Sequence, residues 1–381
     1  MSFKFNFGVS ADGESTTAHN DCAADTMCID EDMQPALSAA PCEIIPLAIP
    51  RVSSLVVDAI YYGQQRLWKR QIDDVQFQLA QQDSMDENES SLMRHAIAKD
   101  KNASDVIKGV YEGGLKTWEC SIDLLSFLVE HQDESHMALN GARVLEIGCG
   151  TGLPSLHILK TAPGAHVCMQ DYNRDVLELV TMPNVLVNTV LSPAGGSMGD
   201  EIHADDDTET CEIDIDFRRT QVLFGADTDK IIGEREVPEL TPEEAREADL
   251  RLLDGTNIAS RCEFVAGDWS NIEEELRRQG REHSFDLVLT SETIYDTDSY
   301  KRLHDLLVCV LAQPDVNAQA EGQRVPMVLV AAKSIYFGLS GSILSFSQYV
   351  RTRGVFDSEC VWQSGGSMNR EILRLTWINS N

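Results

Sequence analysis

The sequence predicts an α/β domain, a mostly parallel sheet with helices on both faces and an antiparallel hairpin at its end. Three observations predict it. Short, almost continuously apolar runs alternate with amphipathic stretches from about residue 118 to 333, the pattern of strands covered on both faces by crossover helices. The first of these runs ends in a glycine-rich turn and the next in an acid. The chain closes with two β-rich runs, VFDSECVWQSG and REILRLTWI, that read as a hairpin.

Residues 1–43 are rich in Asp, Glu, Ser, Ala and Thr with little periodicity and read as a disordered acidic tail. Phe3, Phe5 and Phe7 alternate with polar residues there, as a short docking strand or a plain exposed tail would. Residues 44–104 read as an N-terminal extension packing on the core, with room for one helix. The main domain occupies 105–381. It opens on VYEGGLKTWECSIDLLSFLVEH, a Gly-Gly turn running into a helix with Trp118, Ile122, Leu125 and Leu128 at helical spacing. RVLEIG (143–148) is a strand, LPSLHILKTA (153–162) a helix and VCMQD (167–171) a second strand. Together they make a βαβ unit, so the sheet is Rossmann-like. Residues 192–260 interrupt the pattern with an acidic insert that has nine carboxylates and no Lys or Arg between Asp200 and Asp216. The insert reads as a surface loop with a short helix near 242–253. Strand signatures resume with CEFVAGDW (262–269), FDLVLTSE (285–292) and PMVLVAAK (326–333).

Composition bounds the function. A net charge of −31 over 381 residues disfavours binding to bare nucleic acid, which needs clustered Lys and Arg. The same charge suits a basic protein partner, or is solubility alone. The apolar runs are too short to span a bilayer, the N-terminus lacks a basic start and apolar block, and ten cysteines with no CxxC pair suggest neither a disulfide framework nor a metal site. A reduced, cytoplasmic or nuclear monomer is expected.

The motifs point to a nucleoside ligand. In Glu146-Ile147-Gly148-Cys149-Gly150-Thr151-Gly152 the glycines leave room for a ligand lying over a strand end. A dinucleotide fingerprint would need glycine at 153, where Leu153 stands. Glu146 suits instead a ligand with a cationic amino-acid end, such as S-adenosylmethionine, which carries an ammonium and a sulfonium but no pyrophosphate. Asp171 ends the next strand 19 residues past Gly152, where an acid takes ribose hydroxyls. Gln170 and Tyr172 flank it. Gly267-Asp268-Trp269 could accept the adenine amino group and cover its ring, or be a turn with a packed Trp. Ser291-Glu292-Thr293-Ile294-Tyr295 leaves the following strand where a reacting methyl should emerge, or is a helix start capped by Ser291.

These blocks resemble the eukaryotic protein-histidine methyltransferase family. The likeness is carried by FKFNF near the start, GVYEGGLKTWECSIDLL, LEIGCGTGL, QDYN, VTMPNVLVN, GDW, LTSETIY and AAKSIYFG, in order across nearly all of 105–340. VYEGGLKTWEC and LTSETIY are its specific parts; GCGTG is not. The resemblance implies a seven-stranded class I methyltransferase sheet and methyl transfer to the τ nitrogen of a protein histidine. It implies a substrate in the third protein of the large ribosomal subunit. It places the cofactor against Thr117, Trp118, Glu119, Cys120, Ser121, Gly148, Gln170, Asp171, Tyr172, Gly267, Asp268, Trp269 and Ser291, to which the glycine turn adds Glu146, Gly150 and Gly152. Vertebrate members can carry a basic cluster in the insert that resembles a nuclear-import signal. Here only Arg218-Arg219 stand together.

An imidazole is mostly neutral at pH 7, with a reference pKa near 6.5, and needs no strong base. It does need its π nitrogen protonated, so that the τ lone pair is free. Glu292, or as second choice Asp296, is the expected acceptor of that N–H, with Tyr295 beside the ring. A lysine target would have to lose a proton first, and an acid-x-x-Tyr block does not separate the two substrates. The absence of a Pro-Pro-Tyr block argues against amino groups of bases or glutamine. A non-catalytic module that shelters a basic ribosomal protein is the alternative from another class.

Overall fold

The computed structural model describes residues 40–63, 65–83, 113–134, 137, 139–193, 200–205, 208–225, 239–314, 324–365 and 369–378. The Phe3, Phe5 and Phe7 stretch and nearly all of the expected tail lie outside the described residues. The chain begins with strands β1 (Glu43–Ile45), β2 (Ser54–Tyr62) and β3 (Gln65–Arg70), then helix α1 (Ile72–Asp83) and helix α2 (Glu119–Glu130). Strand β4 (Arg143–Ile147), helix α3 (Leu153–Thr161) and strand β5 (His166–Asp171) form the expected βαβ unit. Helix α4 follows in two pieces, Arg174–Val176 and Met182–Val187, joined through a π-helical turn at Leu177–Thr181. The insert supplies β6 (Asp200–Asp205), β7 (Thr208–Asp214), α5 (Ile215–Phe224), α6 (Pro242–Asp254) and α7 (Ile258–Arg261). The remainder runs β8 (Cys262–Ala266), α8 (Trp269–Arg278), β9 (Leu287–Ser291), α9 (Tyr300–Val310), β10 (Met327–Lys333), α10 (Ile343–Arg353), β11 (Phe356–Gln363) and β12 (Arg370–Trp377).

The main sheet has the order β1-β8-β5-β4-β9-β10-β12-β11. Its core strands β8, β5, β4, β9 and β10 are parallel, while β12 and β11 form the antiparallel end that the sequence suggests. Numbered by chain order without β1, the seven expected strands read 3-2-1-4-5-7-6. Strand order therefore reverses between β4 and β5 on one side and β9 on the other, the switch point where α/β sheets bind ligands. The eighth strand, β1, pairs antiparallel with the free edge of β8.

Alternation of side chains assigns each residue a face. Val144, Leu287, Leu289 and Leu329 pack with Leu124 and Leu128 of α2 and with Leu156 of α3. Leu145, Ile147, Val288 and Val330 pack on the other face with Ile272, Leu303, Leu307 and Phe346 of α8, α9 and α10. Both faces are thus filled by apolar side chains, which is why these strands read as unbroken apolar runs. The same parity puts Glu146 and Lys333, each 5% exposed or less, on the face of α2 and α3.

The short helix expected near 242–253 is α6, but the rest of the insert is not the surface loop that the sequence suggests. β7 and β6 extend β2 and β3 into a second, antiparallel sheet of order β3-β2-β7-β6. Leu55, Val57, Cys211 and Ile213 form its inner face, against Leu186, Val187 and Leu191. The edge of β3 is satisfied by side chains of α4. Asn188 accepts from the Trp68 N–H (2.9 Å) and donates to its carbonyl (2.7 Å), and Asn184 accepts from the Arg70 N–H (2.7 Å). Two asparagines one helical turn apart thereby take the place of a neighbouring strand. Buried Arg219 of α5 clamps the sheet to its surroundings through Asp249 (2.8 Å), Asp216 (3.0 Å) and the carbonyl of Pro50 (3.0 Å). Among the described residues no helix is long and apolar enough to cross a membrane.

Candidate active site

The glycine turn lies over the switch point, and its backbone is held from three sides. Gly148, Gly150 and Gly152 all have positive φ, 62°, 50° and 70°. The Gly150 N–H donates to Asp171 Oδ2 at 3.0 Å. The Gly150 carbonyl accepts from Thr181 Oγ1 at 2.6 Å, and the Thr151 carbonyl from Asn184 Nδ2 at 3.0 Å. Thr181 ends the π-helical turn, a wide turn that is uncommon outside functional sites. A side chain on Gly150 would meet the Gly114 carbonyl at 3.0 Å, so the Gly-Gly turn ahead of α2 crosses directly above the loop. Thr117 reinforces this closure, its Oγ1 lying 3.4 Å from Thr151 Oγ1.

Glu146 sits beneath the loop. Its Oε2 accepts the backbone N–H of Ser155 at 3.0 Å, in the first turn of α3, which no other side chain caps. A carboxylate suits that helix end. Burial nevertheless raises its pKa to about 7. His157, on the same helix and 1% exposed, is pushed the other way, down to about 4 by burial. The two oppose each other in their linkage to stability. Protonated Glu146 favours the fold fully below its ordinary 4.5, and that contribution is lost as pH rises through 7. Neutral His157 favours the fold above its ordinary 6.5, and that contribution is lost as pH falls towards 4. Between pH 4.5 and 6.5 the slopes cancel. In Glu146→Gln the histidine slope is expected to stand alone, about 1 kcal/mol of stability lost per pH unit on acidification across that window. Urea unfolding at pH 6.5 and 4.5 checks this; a variant whose pH dependence parallels the wild type would contradict it.

Asp171 is 4% exposed and its Oδ1 accepts the Asn173 N–H at 3.1 Å. Gln170 ties three segments together. Its Oε1 accepts from the Gly148 N–H and from Trp269 Nε1, both at 3.2 Å, and its Nε2 donates to the Gly267 carbonyl at 3.1 Å. Tyr172 is half-buried beside it. The Gly267 turn is also covered from above, since a Cβ there would lie 2.3 Å from the Pro41 carbonyl. Asp268 has both oxygens engaged: Oδ1 accepts the Ser270 N–H (2.9 Å) at the start of α8, and Oδ2 holds Arg302 (2.5 Å).

The carboxyl ends of β9 and β10 supply the remaining groups. Ser291 is the last residue of β9, and residues 292–296 form a bend, not the helix start weighed as an alternative. Glu292 adopts φ 57°, a conformation uncommon for any side chain but glycine and one that clusters at functional sites. It is 8% exposed, and its carboxylate makes no hydrogen bond of ordinary length, although the Cys120 thiol and the Tyr336 hydroxyl face it. Lys333 Nζ lies 3.5 Å from Glu292 Oε1 and 5.5 Å from the centre of the Trp118 ring. Burial, and then the neighbouring Glu292 charge, push the Cys120 thiol and the Tyr336 hydroxyl well above their ordinary values. Tyr295 meets Tyr336 edge to face at 6.4 Å. Asp296 is turned to structural work: its Oδ1 accepts the Asp298 N–H (3.0 Å) and the Ser340 hydroxyl (3.2 Å). Trp118 Nε1 donates to the Gly113 carbonyl (2.9 Å), Glu119 lies 3.7 Å from Arg370, and Ser121 Oγ is buried without a hydrogen-bond partner.

The structure therefore gathers the sequence-derived residues at one end of the sheet, with Asp296 aside as a turn cap. Sequence reasoning gave no role to Lys333, Tyr336, Thr181 or Asn184. The visible signal for Lys333 was a charged residue ending an otherwise apolar strand, VLVAAK.

Residues 105–200 match the family described as "Lysine methyltransferase". The histidine protein methyltransferase 1 of Schizosaccharomyces pombe is 32% identical over 306 residues, 79% of this chain and 71% of that protein. That of Saccharomyces cerevisiae is 30% identical over 297 residues, 74% of this chain and 68% of that protein. The Bos taurus histidine protein methyltransferase 1 homolog is 31% identical over 278 residues, 72% of this chain and 58% of that protein. The matched part of the chain thus spans less than two thirds of the mammalian relative. Likeness at 32% identity over more than two thirds of both the chain and its fission-yeast relative, with the motifs in order, shows that the chain belongs to the histidine protein methyltransferase family.

Proposed function

We propose that the protein transfers a methyl group from S-adenosylmethionine to the τ nitrogen of a histidine in a basic protein, the third protein of the large ribosomal subunit. The observation that carries this reading is the 3.0 Å bond from the Gly150 N–H to Asp171, which joins the glycine turn and the ribose-binding acid at the switch point. The chain's groups fit that donor. Asp171 faces the ribose, Gly267 to Trp269 border the base with Trp269 as its cover, and Gly148 to Gly152 leave room for the backbone-hugging tail. The start of α2 lacks a side-chain cap and holds the unpartnered Ser121 hydroxyl, a combination suited to the ligand's carboxylate. Thr117 to Cys120 close over it, and Glu146 supports the turn from below. Ser291 borders the methionine end.

S-adenosylmethionine supplies an electrophilic methyl on sulfur. What the protein adds is orientation. Glu292 accepts the N–H of the target's π nitrogen and so leaves the τ lone pair free, while Tyr295 and Tyr336 flank the ring. No base is needed before attack, and the surplus proton leaves to water afterwards. The strongly acidic chain favours a basic partner. We place it in the cytoplasm, with nuclear entry by a route other than a basic cluster in the insert, and acting as a monomer. Incubation with methyl-labelled S-adenosylmethionine and the free ribosomal protein, then peptide mass spectrometry, is expected to place one methyl on histidine, and Glu292→Gln to slow turnover at least tenfold. Methyl on lysine alone, or unchanged turnover in the variant, would refute it.

A further inference from the structure

We propose that Lys333 is a specificity-determining residue that keeps cationic target side chains out of the site and reserves it for a neutral nucleophile. The proposal rests on the reading of the site as a protein methyltransferase centre. Sheet parity turns Lys333 towards α2, where the residue is 5% exposed and its ammonium lies between Glu292 (3.5 Å) and the Trp118 face (5.5 Å). Glu292 follows the last residue of β9 with φ 57° and is 8% exposed. A lone buried carboxylate there would attract the ammonium of a target lysine. With Lys333 beside it the pair is neutral overall, and an arriving ammonium would meet a like charge in a site shielded from water, where such repulsion is strong. A neutral imidazole meets no such barrier. The carboxylate, which makes no hydrogen bond of ordinary length to Cys120 or Tyr336, remains able to accept an N–H. Trp118 lies against the Lys333 ammonium and Tyr336 beside Glu292, and the raised Tyr336 hydroxyl brings no further charge. Lys333 thus holds from within the position that a lysine substrate would take from outside.

The test compares the substrate protein with its counterpart carrying lysine at the methylated position. In Lys333→Met the ratio of histidine to lysine methylation is expected to fall at least tenfold, while Lys333→Arg keeps it. Because Lys333→Met strands a buried carboxylate, the Glu292→Gln/Lys333→Met double variant is measured beside it. It leaves no isolated charge, and its ratio, read against that of Glu292→Gln alone so that only position 333 differs, should also fall. Melting curves and calorimetric titration with S-adenosylmethionine establish which variants are folded and loaded. A ratio within twofold of wild type in folded Lys333→Met, or within twofold of Glu292→Gln in the folded double variant, overturns the proposal. Wild-type protein that methylates neither substrate would instead defeat the functional reading beneath it.

Discussion

Asp171→Ala is expected to weaken S-adenosylmethionine binding at least a hundredfold while leaving the protein folded. The carboxylate accepts the N–H groups of Gly150 and Asn173 at 3.0 and 3.1 Å and is 4% exposed. Hydrogen bonds to a charged group contribute roughly 1.5–3 kcal/mol each. Losing both releases the glycine turn from its bound shape, and with the proposed contact to ribose gone as well the cost to binding amounts to several kcal/mol, where about 1.4 kcal/mol is tenfold in affinity. The loss falls mainly on binding because the sheet beneath is packed independently, through Val144, Val167 and Leu289. Asp171→Asn keeps an acceptor but not its charge and should be intermediate. Calorimetric titration decides; an alanine variant binding within threefold of wild type would remove Asp171 from the site.

Gly148→Val should lower kcat/KM by a hundredfold or more, chiefly through kcat. Gly148 has φ 62°, and a Cβ there would stand 2.7 Å from Thr293 Cγ2. A β-branched residue in the left-handed region is a conformational outlier, at roughly 1–2 kcal/mol for the backbone alone. Thr293 cannot easily give way. Its hydroxyl bonds Thr290 (2.7 Å), which in turn donates to the Ile147 carbonyl (2.9 Å). Displacing Thr293 moves the adjoining Glu292. Gly141→Ala is the control, since Gly141 has φ 75° but a Cβ there would meet nothing within 4 Å. It should lose stability by a similar backbone increment and keep its activity. Steady-state kinetics with melting curves separates the two, and equal losses of activity would contradict the steric account.

The parallel strands were legible because burial on both faces leaves no polar residue to break them, and RVLEI and VLVAAK announce themselves. The glycine turn and Asp171 were legible because their chemistry is local. The second sheet was not. In TETCEID the inward residues Cys211 and Ile213 do alternate with Thr210 and Glu212, but the weight of carboxylates hides two apolar positions. SLVVDAIYY and QRLWKR mix polar and apolar residues without clean alternation, because both faces are partly covered: Leu55, Val57 and Trp68 pack on one side, Ile60 and Leu67 on the other. Lys333 was illegible as a site residue for a different reason. Its role depends on which sheet face it occupies and on α2 passing over that face, a relation that spans more than 200 residues of sequence.

The pairing of Val57 with Cys211 sets an order on synthesis. The ribosome releases the β2–β3 hairpin about 150 residues before its partner strand, and at ~5–20 residues per second the interval is on the order of ten seconds. Until α4 and then β7 emerge, Leu55 and Val57, fully covered in the finished protein, lack the side chains that cover them. Synonymous codon changes that slow translation between residues 70 and 208 should raise the aggregated fraction without altering a single side chain.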